Sequence, residues 1–442
     1  MKKHHKIFVL CFPHLGVLDV WLPVVNRMNN LDSHTDCTLI IPDAMIVRNF
    51  HRDNIIVKMS DGVFNTVLIR TNNNTWIKHK SVSESIRWYQ SKRAILRLIN
   101  ILEGLIRKPL FYFILIYPLI LLRNIAYKKE CKIKYENLNR TISDKDIMLY
   151  DIHTEGNRTV SDILQLFEDN KYSLPHALSM TINRDLHVNV NNKNKENITL
   201  YIYGKFQSRY YNLRYGIDEN KMHVVGIPRH DSKWIKKIQD ESTRLPNRFD
   251  NDKSVIVLSR HVSNVYCSYD EKKRSVRNIK KKIIDELGMK VVVKLHPSEK
   301  QEKIFSSKNE TIYEDEFGSN DYGLTWIYSD LHIFALGKGK KLIINLNTGV
   351  VFDAVAMGIP CIDYIDSNRE KLTQFALHGG IVEKATNYQE LSIFIDKWLS
   401  NPDKISTLST DVYKNYFQVS SDISSRIATE ILCKNEIIDQ KI

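Results

Sequence analysis

Val291-Val292-Val293-Lys294-Leu295-His296-Pro297-Ser298-Glu299 is a short β-branched run that stops abruptly in polar residues. A second segment does the same: Leu342-Ile343-Ile344-Asn345-Leu346-Asn347-Thr348-Gly349 passes into Val350-Val351-Phe352-Asp353-Ala354 and then Gly358-Ile359-Pro360. Continuous apolar runs of this length suit strands buried on both faces of a parallel sheet, each delivering a loop at its carboxyl end. Two such loops from one sheet, one ending in His-Pro and one in Asn-Thr-Gly before a helix, predict a binding crevice.

Composition sets the frame around that sheet. A chain of 442 residues exceeds one ordinary core, so two domains are expected, and 43% hydrophobic with 26% charged residues describes a globular protein. The formal charge of +13 implies an anionic partner: nucleic acid, an acidic leaflet or phosphorylated substrates. Cys11, Cys37, Cys131, Cys267, Cys361 and Cys433 are widely spaced and form no C-x-x-C pair. That spacing speaks for reduced thiols in a cytosolic compartment, and against zinc or a disulfide framework. The basic start, Met1 to Lys6, followed by apolar Ile7 to Phe12, imitates a signal peptide. Its run breaks at Pro13 and His14 with no small-x-small cleavage site, which favours a first strand.

Working outward, Ile7–Phe12, Thr38–Ile41, Thr66–Arg70 and Ile147–Ile152 read as strands, with Asn54–Lys58 a further short candidate and a helix over Val20–Met28. Thr199–Tyr203 and Met222–Val225 continue the pattern. Residues 239–253 are polar, contain Pro246 and lack apolar periodicity, which marks a linker. Strand and helix alternation then restarts with Val255–Leu258, Val291–Leu295, Leu342–Leu346 and Cys361–Tyr364, with a helix expected near Leu324–Leu331. The expected organisation is an α/β protein with two Rossmann-like, doubly wound domains. Residues 1–238 form the acceptor domain, with a helical, partly apolar insertion at about 81–130. Residues 254–410 form the donor domain, and 411–442 are C-terminal helices that can pack back on the first domain.

The insertion holds Pro109 through Leu122, fourteen apolar residues bracketed by Arg107, Lys108 and Arg123. A bilayer span needs about 20 residues, so two alternatives stand: an interfacial segment on an anionic membrane, or a buried hairpin kinked at Pro118.

Ligands of open parallel sheets bind beyond the carboxyl ends of the strands, and the polar clusters fall there. His296, stiffened by Pro297, can donate to a phosphate oxygen or, protonated, neutralise a leaving pyrophosphate, or it can simply cap a strand turn. Thr348 and Gly349 at a helix start can bind an anion, although plain N-capping uses the same residues. Asp353 can reach a ribose hydroxyl or be a solvated helix acid; Arg229 can contact phosphates or be a surface cation. Arg260 and His261, which follow the first strand of the second domain, are similar candidates for contacting the donor's phosphates, while Lys294 suits a structural role. In the first domain the candidates for activating an acceptor are Asp19, His14, Asp151, His153, Glu155 and His176, with Asp19 first and His176 second. Walker A, G-x-G-x-x-G, H-E-x-x-H and G-x-S-x-G patterns are absent and no obvious metal-carboxylate D-x-D stands in a plausible loop, which fits metal-independent phosphate handling without a cofactor.

The succession Val225-Gly226-Ile227-Pro228-Arg229-His230-Asp231, then Lys294 to Glu299, then Asn347 to Ala354 with Gly358-Ile359-Pro360 resembles the GT-B-type transferases of bacterial surface polysaccharides. These include capsule and lipopolysaccharide glycosyltransferases and the CDP-glycerol glycerophosphotransferases. The resemblance covers mainly residues 172–365 and implies donor-nucleotide roles for Gly226, Arg229, His296, Thr348 and Asp353. Leu174-Pro175-His176-Ala177 is similar to a Pro-His-Gly element of those families, with Ala177 where glycine is usual. Asn347-Thr348-Gly349 departs from their paired serines or threonines, and residues 81–129 have no counterpart.

The expected activity is therefore metal-independent transfer of a sugar from a nucleotide-sugar co-substrate to a lipid-linked or polymeric glycan. It would take place at the inner face of the cytoplasmic membrane. The alternatives are a CDP-glycerol-type phosphotransferase and, from another class, a basic nucleic-acid-binding protein. The last lacks an RRM, KH or helix-turn-helix signature and has its charge spread along the chain, so no nucleic-acid partner is expected.

Overall fold

A computed structural model describes residues 6–13, 15–44, 46–47, 54–70, 76–106, 117–122, 135–136, 138, 142–143, 145–154, 156–167, 170–176, 197–246, 248–249, 253–262, 267–296, 299, 311–318, 324–367, 382–401, 417 and 422–437. Of the sequence candidates, His14, Glu155, Ala177, Pro297 and Ser298 lie outside the described residues, as do 109–116 of the apolar run.

The chain builds two sheets. The first contains β1 (Lys6–Leu10), β2 (Asp36–Ile41), β3 (Thr66–Arg70), β4 (Trp76–His79), β5 (Tyr135–Glu136), β6 (Ile147–Tyr150), β7 (Lys171–Ser173), β8 (Ile198–Ile202) and β9 (Met222–Val224), in spatial order 5-4-3-2-1-6-7-8-9. All its pairings are parallel except those of β4 and β5 at one edge. The second contains β10 (Ser254–Leu258), β11 (Lys290–Lys294), β12 (Trp326–Tyr328), β13 (Ile343–Asn345), β14 (Cys361–Tyr364) and β15 (Val382–Ala385), in order 12-11-10-13-14-15, all parallel. Strand order reverses between β1 and β6 in the first sheet and between β10 and β13 in the second. Those two reversals are the positions where a doubly wound sheet opens a crevice.

Alternation along each strand explains the burial. In β10 and β11, Ile256, Leu258 and Val292 face one core, while Val255, Val257, Val291 and Val293 face another. In the first sheet Ile7 and Val9 point to the core shared with the second domain, whereas Phe8 and Leu10 point to a separate cluster with Met148 and Tyr150. The period of two thus puts apolar side chains on both faces, as a helix-covered parallel sheet requires.

Helix α1 (Gly16–Leu31) follows β1 and is buried on all sides from Val17 to Val25 and again at Met28. The indole N–H of its Trp21 donates to the Tyr150 carbonyl at 3.1 Å, which locks the helix over the switch point. Further helices are α2 (Asn54–Asp61), α3 (Val82–Ile106), α4 (Arg158–Leu164), α5 (Ser208–Tyr215), α6 (Ser232–Glu241), α7 (Tyr269–Ile279), α8 (Thr311–Phe317), α9 (Ile333–Gly337), α10 (Val351–Ala356), α11 (Tyr388–Ser400) and α12 (Ile423–Lys434). Helix α12 packs on α1, where Arg27 Nε donates to Ser425 Oγ at 2.6 Å. Phe417 packs its ring against Phe206 and Phe352 at centroid distances of 5.9 and 5.5 Å, joining first-domain and second-domain side chains.

Three local expectations change. Asn54–Lys58, expected as a strand, is the start of α2, because Ile55, Ile56 and Met59 bury one helical face. Leu324–Leu331, expected as a helix, carries β12, whose aromatic Trp326 and Tyr328 suit a strand paired with β11. The polar stretch from Gln239 begins inside α6, and its Leu245 and Phe249 are buried.

The insertion is helical where described, in α3 and at 117–122. It exposes Leu98, Ile101, Tyr117, Ile120 and Leu121, five of the ten large hydrophobics exposed among the described residues. No helix among those residues is long and apolar enough to cross a membrane.

Ile431 is fully buried in α12 within the shared core. Ile431→Ala removes that packing and is expected to lower unfolding free energy by about 2–4 kcal/mol in urea denaturation. An unchanged midpoint would show that docking of α12 does not support the fold.

Candidate active site

The polar side chains at the carboxyl ends of the strands form three groups. In the first sheet Asp151 follows β6 and is completely buried. Its Oδ1 accepts from the His153 amide at 3.0 Å and lies 2.8 Å from His153 Nδ1. Its Oδ2 accepts from the His176 amide at 3.2 Å and also contacts His176 Nδ1. Both imidazoles are thus held by one carboxylate, with ring centroids 5.7 Å apart. Burial alone would raise the Asp151 carboxyl, but the two histidines and their hydrogen bonds hold it well below the usual range. An ionised carboxylate is acceptor-only, so each Nδ1 carries a proton toward Asp151, and in the neutral tautomer Nε2 holds the lone pair.

The second group joins the two domains. Gly226 has φ of +84°, a conformation natural to glycine, and turns the chain after β9 into Pro228-Arg229-His230-Asp231. Arg229 donates from Nη1 to Asp19 Oδ2 and from Nε to Asp353 Oδ1, both at 2.9 Å. His230 Nε2 lies 2.6 Å from Asp353 Oδ1. His332 lies 3.3 Å from Asp19 Oδ1 through Nε2, and its Nδ1 accepts the Phe334 amide at 3.3 Å, so the proton sits on Nε2. Asp231 accepts the Ile423 and Ser424 amides, each at 2.8 Å, and so ties down the start of α12. Burial would raise Asp19; the charges and hydrogen bonds of His332 and Arg229 outweigh it and lower the carboxyl instead.

The third group lies in the second domain. Glu299 is buried and accepts from the His296 amide at 2.7 Å, from Ser259 Oγ at 2.8 Å and from Lys272 Nζ. Lys272 Nζ also donates to the Arg260 carbonyl at 2.9 Å. This buried ion pair braces the loops after β10 and β11, and sets His261 and His296 side by side with centroids 5.2 Å apart. After β13, Asn345 Oδ1 accepts from both the amide and hydroxyl of Thr348, at 3.1 and 2.8 Å. Asp363 accepts from Asn345 Nδ2 at 2.8 Å and from the Asn347 amide at 3.1 Å. Asn347 takes a left-handed φ of 58°, and a Cβ at Gly349 would meet open space.

The structure therefore brings His296, Arg260 and His261 together at one edge, with Thr348 and Gly349 on the loop after the neighbouring strand β13. Asp19, Arg229 and Asp353 are engaged with one another, and neither Asn347 nor Thr348 caps α10, whose N-cap is Val350. Sequence reasoning missed the bracing pair of Lys272 and Glu299, the Asn345–Asp363 support and His332. Glu299 stood in the quoted motif, yet nothing local names its partner Lys272, 27 residues away.

By sequence the chain matches no family model and no curated protein. By structure it is similar to a Listeria monocytogenes protein assigned as a UDP-N-acetylglucosamine 2-epimerase, with TM-score 0.53, 10% identity, and 99% and 98% of the two chains covered. It is also similar to MnaA of S. aureus, solved with UDP, with TM-score 0.51, 10% identity and 99% coverage of both chains. The fold is of GT-B type. A wall teichoic acid polymerase, TagF, aligns over 98% of this chain and 90% of its own with TM-score 0.49 and 11% identity.

The depressed Asp19 carboxyl fixes a pH dependence. It stays ionised further into acid in the folded protein than in the unfolded chain, so its contribution is complete above about pH 5 and declines as pH falls through 4. Asp19→Asn is expected to cost about 1–3 kcal/mol at pH 7 and to flatten the loss of stability between about pH 5 and 3. Urea titrations at several pH values check both, and parallel wild-type and variant curves would remove the clasp of Asp19 with Arg229 and His332 as the origin.

Proposed function

We propose that the protein is a nucleotide-dependent transferase that moves a sugar from an activated donor to a bacterial surface glycan without a metal. One observation carries this: histidines stand at the carboxyl-end loops of both sheets of a GT-B fold beside buried carboxylates, Asp151 holding the rings of His153 and His176 and Glu299 holding the backbone amide of His296. In the second domain His296, with Arg260 and His261, meets the donor phosphates, and Thr348 and Gly349 line the adjoining loop. Gly226 shapes the turn on the donor side, while Arg229 and Asp353 hold the domains in register beside it.

In the first domain His176 serves as general base. Asp151 holds its Nδ1–H, so Nε2 takes the proton of the acceptor hydroxyl. The hydroxyl oxygen then bonds to the anomeric carbon as the bond from that carbon to the phosphate oxygen breaks, and His296 and Arg260 offset the charge on the departing nucleotide. Asp19 suits this role less, because His332 and Arg229 occupy its two oxygens.

Purified protein is expected to gain melting temperature with at least one of CMP, CDP, UDP or GDP. His296→Ala is expected to lower turnover at least roughly tenfold, about 1.4 kcal/mol of transition-state stabilisation, with an unchanged melting temperature. Retention of the donor phosphate on the product would select a CDP-glycerol-type transferase. Epimerisation without any acceptor, or no nucleotide effect on a folded protein, would sink the proposal.

The exposed apolar side chains of the insertion and the charge of +13 support a position on the inner, anionic leaflet, where a lipid-linked acceptor would be presented. In vesicle flotation with phosphatidylglycerol, the paired change Tyr117→Ser and Leu121→Ser is expected to weaken association at least roughly fivefold, about 1 kcal/mol. Equal flotation of variant and wild type would assign these side chains to another partner.

A further inference from the structure

We propose that Asp151, His153 and His176 also form a site for one divalent transition ion of the zinc and cobalt class, and that the ion and the base function of His176 exclude each other. The site itself does not depend on the transfer proposed above; only the inhibition does. One ligand atom from each of the three residues lies within 4.8 Å of the others. The donors come from the ends of adjacent strands β6 and β7, so the sheet fixes their spacing. The amides of His153 and His176 already pin the carboxylate, leaving only side-chain adjustment to bring the donors to the roughly 2.0–2.2 Å of zinc ligation.

The chemistry of the set is selective. Two imidazole nitrogens and one carboxylate oxygen suit zinc, cobalt or nickel, whereas magnesium and calcium require oxygen-dominated shells. The imidazoles are 16% and 20% exposed, which provides an entry path from the crevice. A second observation points to an occupant: the hydroxyl of Tyr211 is buried with no hydrogen-bond partner among the described residues, and its ring lies 5.8 Å from that of His153. A metal-bound water in the position left open by three protein ligands would give that hydroxyl an acceptor.

Exclusion follows from the tautomers. Without an ion, Nδ1 of each ring carries the proton toward Asp151 and Nε2 keeps the basic lone pair. An ion on Nδ1 moves the ring proton to Nε2, with no net proton lost from a neutral imidazole. The lone pair that would accept the acceptor's proton is then gone.

Untagged, chelator-treated full-length protein titrated with CoCl2 and ZnCl2 tests this. The expected result is one ion per chain, a tetrahedral cobalt absorption spectrum, no binding of MgCl2, and at least tenfold weaker binding in His153→Gln. The melting transition of that variant without ligand reports whether it remains folded, and His176→Asn provides a second change at the same site. Zinc should suppress transfer while leaving nucleotide binding unchanged. Absence of stoichiometric binding, or binding unaffected in both folded variants, would overturn the site. A normal cobalt spectrum in a protein that binds no nucleotide would leave the site standing and remove the transfer proposal.

Discussion

Arg229 is the constraint on which the two-domain arrangement rests. A largely buried guanidinium is tolerated only when its charge is met, and here the partners come from different domains: Asp19 from the helix after β1 and Asp353 from the helix after β13. The same short stretch supplies His230 to Asp353 and Asp231 to the start of α12. Separating the domains would take Arg229 from at least one of its carboxylates. The clasp therefore specifies which faces of the sheets adjoin, more than it adds net stability.

The pattern repeats within each domain. Glu299 with Lys272 braces the second sheet's loops, and Asp151 braces the first sheet's histidines; in each case a buried carboxylate is saturated by donors from separate strands' loops. A buried carboxylate with several N–H donors stays ionised, which fixes proton positions on its partners. The charged groups that look catalytic in a sequence thus divide into those that reach the crevice, His176, His261 and His296, and those that aim them.

That division limits what the sequence can convey. The β-branched runs of β10, β11 and β13 are legible because burial on both faces leaves no polar alternation to confuse them. The His-Pro loop and the glycine turn at Gly226 are legible because each needs a particular backbone. β12, three residues long and without a β-branched run around it, shows no period, and its surroundings read as a helix instead. Asn54–Lys58 misleads because two adjacent isoleucines serve a helix face as readily as a strand. The clasp is invisible for a different reason: Arg229 lies 210 residues from Asp19 and 124 from Asp353, and single-chain patterns carry no signal for such pairings.

The clasp and the first-domain histidines nevertheless share a neighbour. Tyr203 is buried, and its hydroxyl donates to the carbonyl of Pro175, the residue before His176. Burial raises its phenol first of all, and the electrostatic influences on it include Arg229, Asp151, Asp353 and Asp19 together. Its amide donates to Gln207 Oε1 at 2.7 Å, which ties the backbone at the end of β8 to the turn that follows. Tyr203 thus holds the His176 loop through its hydroxyl while lying in the field of the charged groups that join the domains.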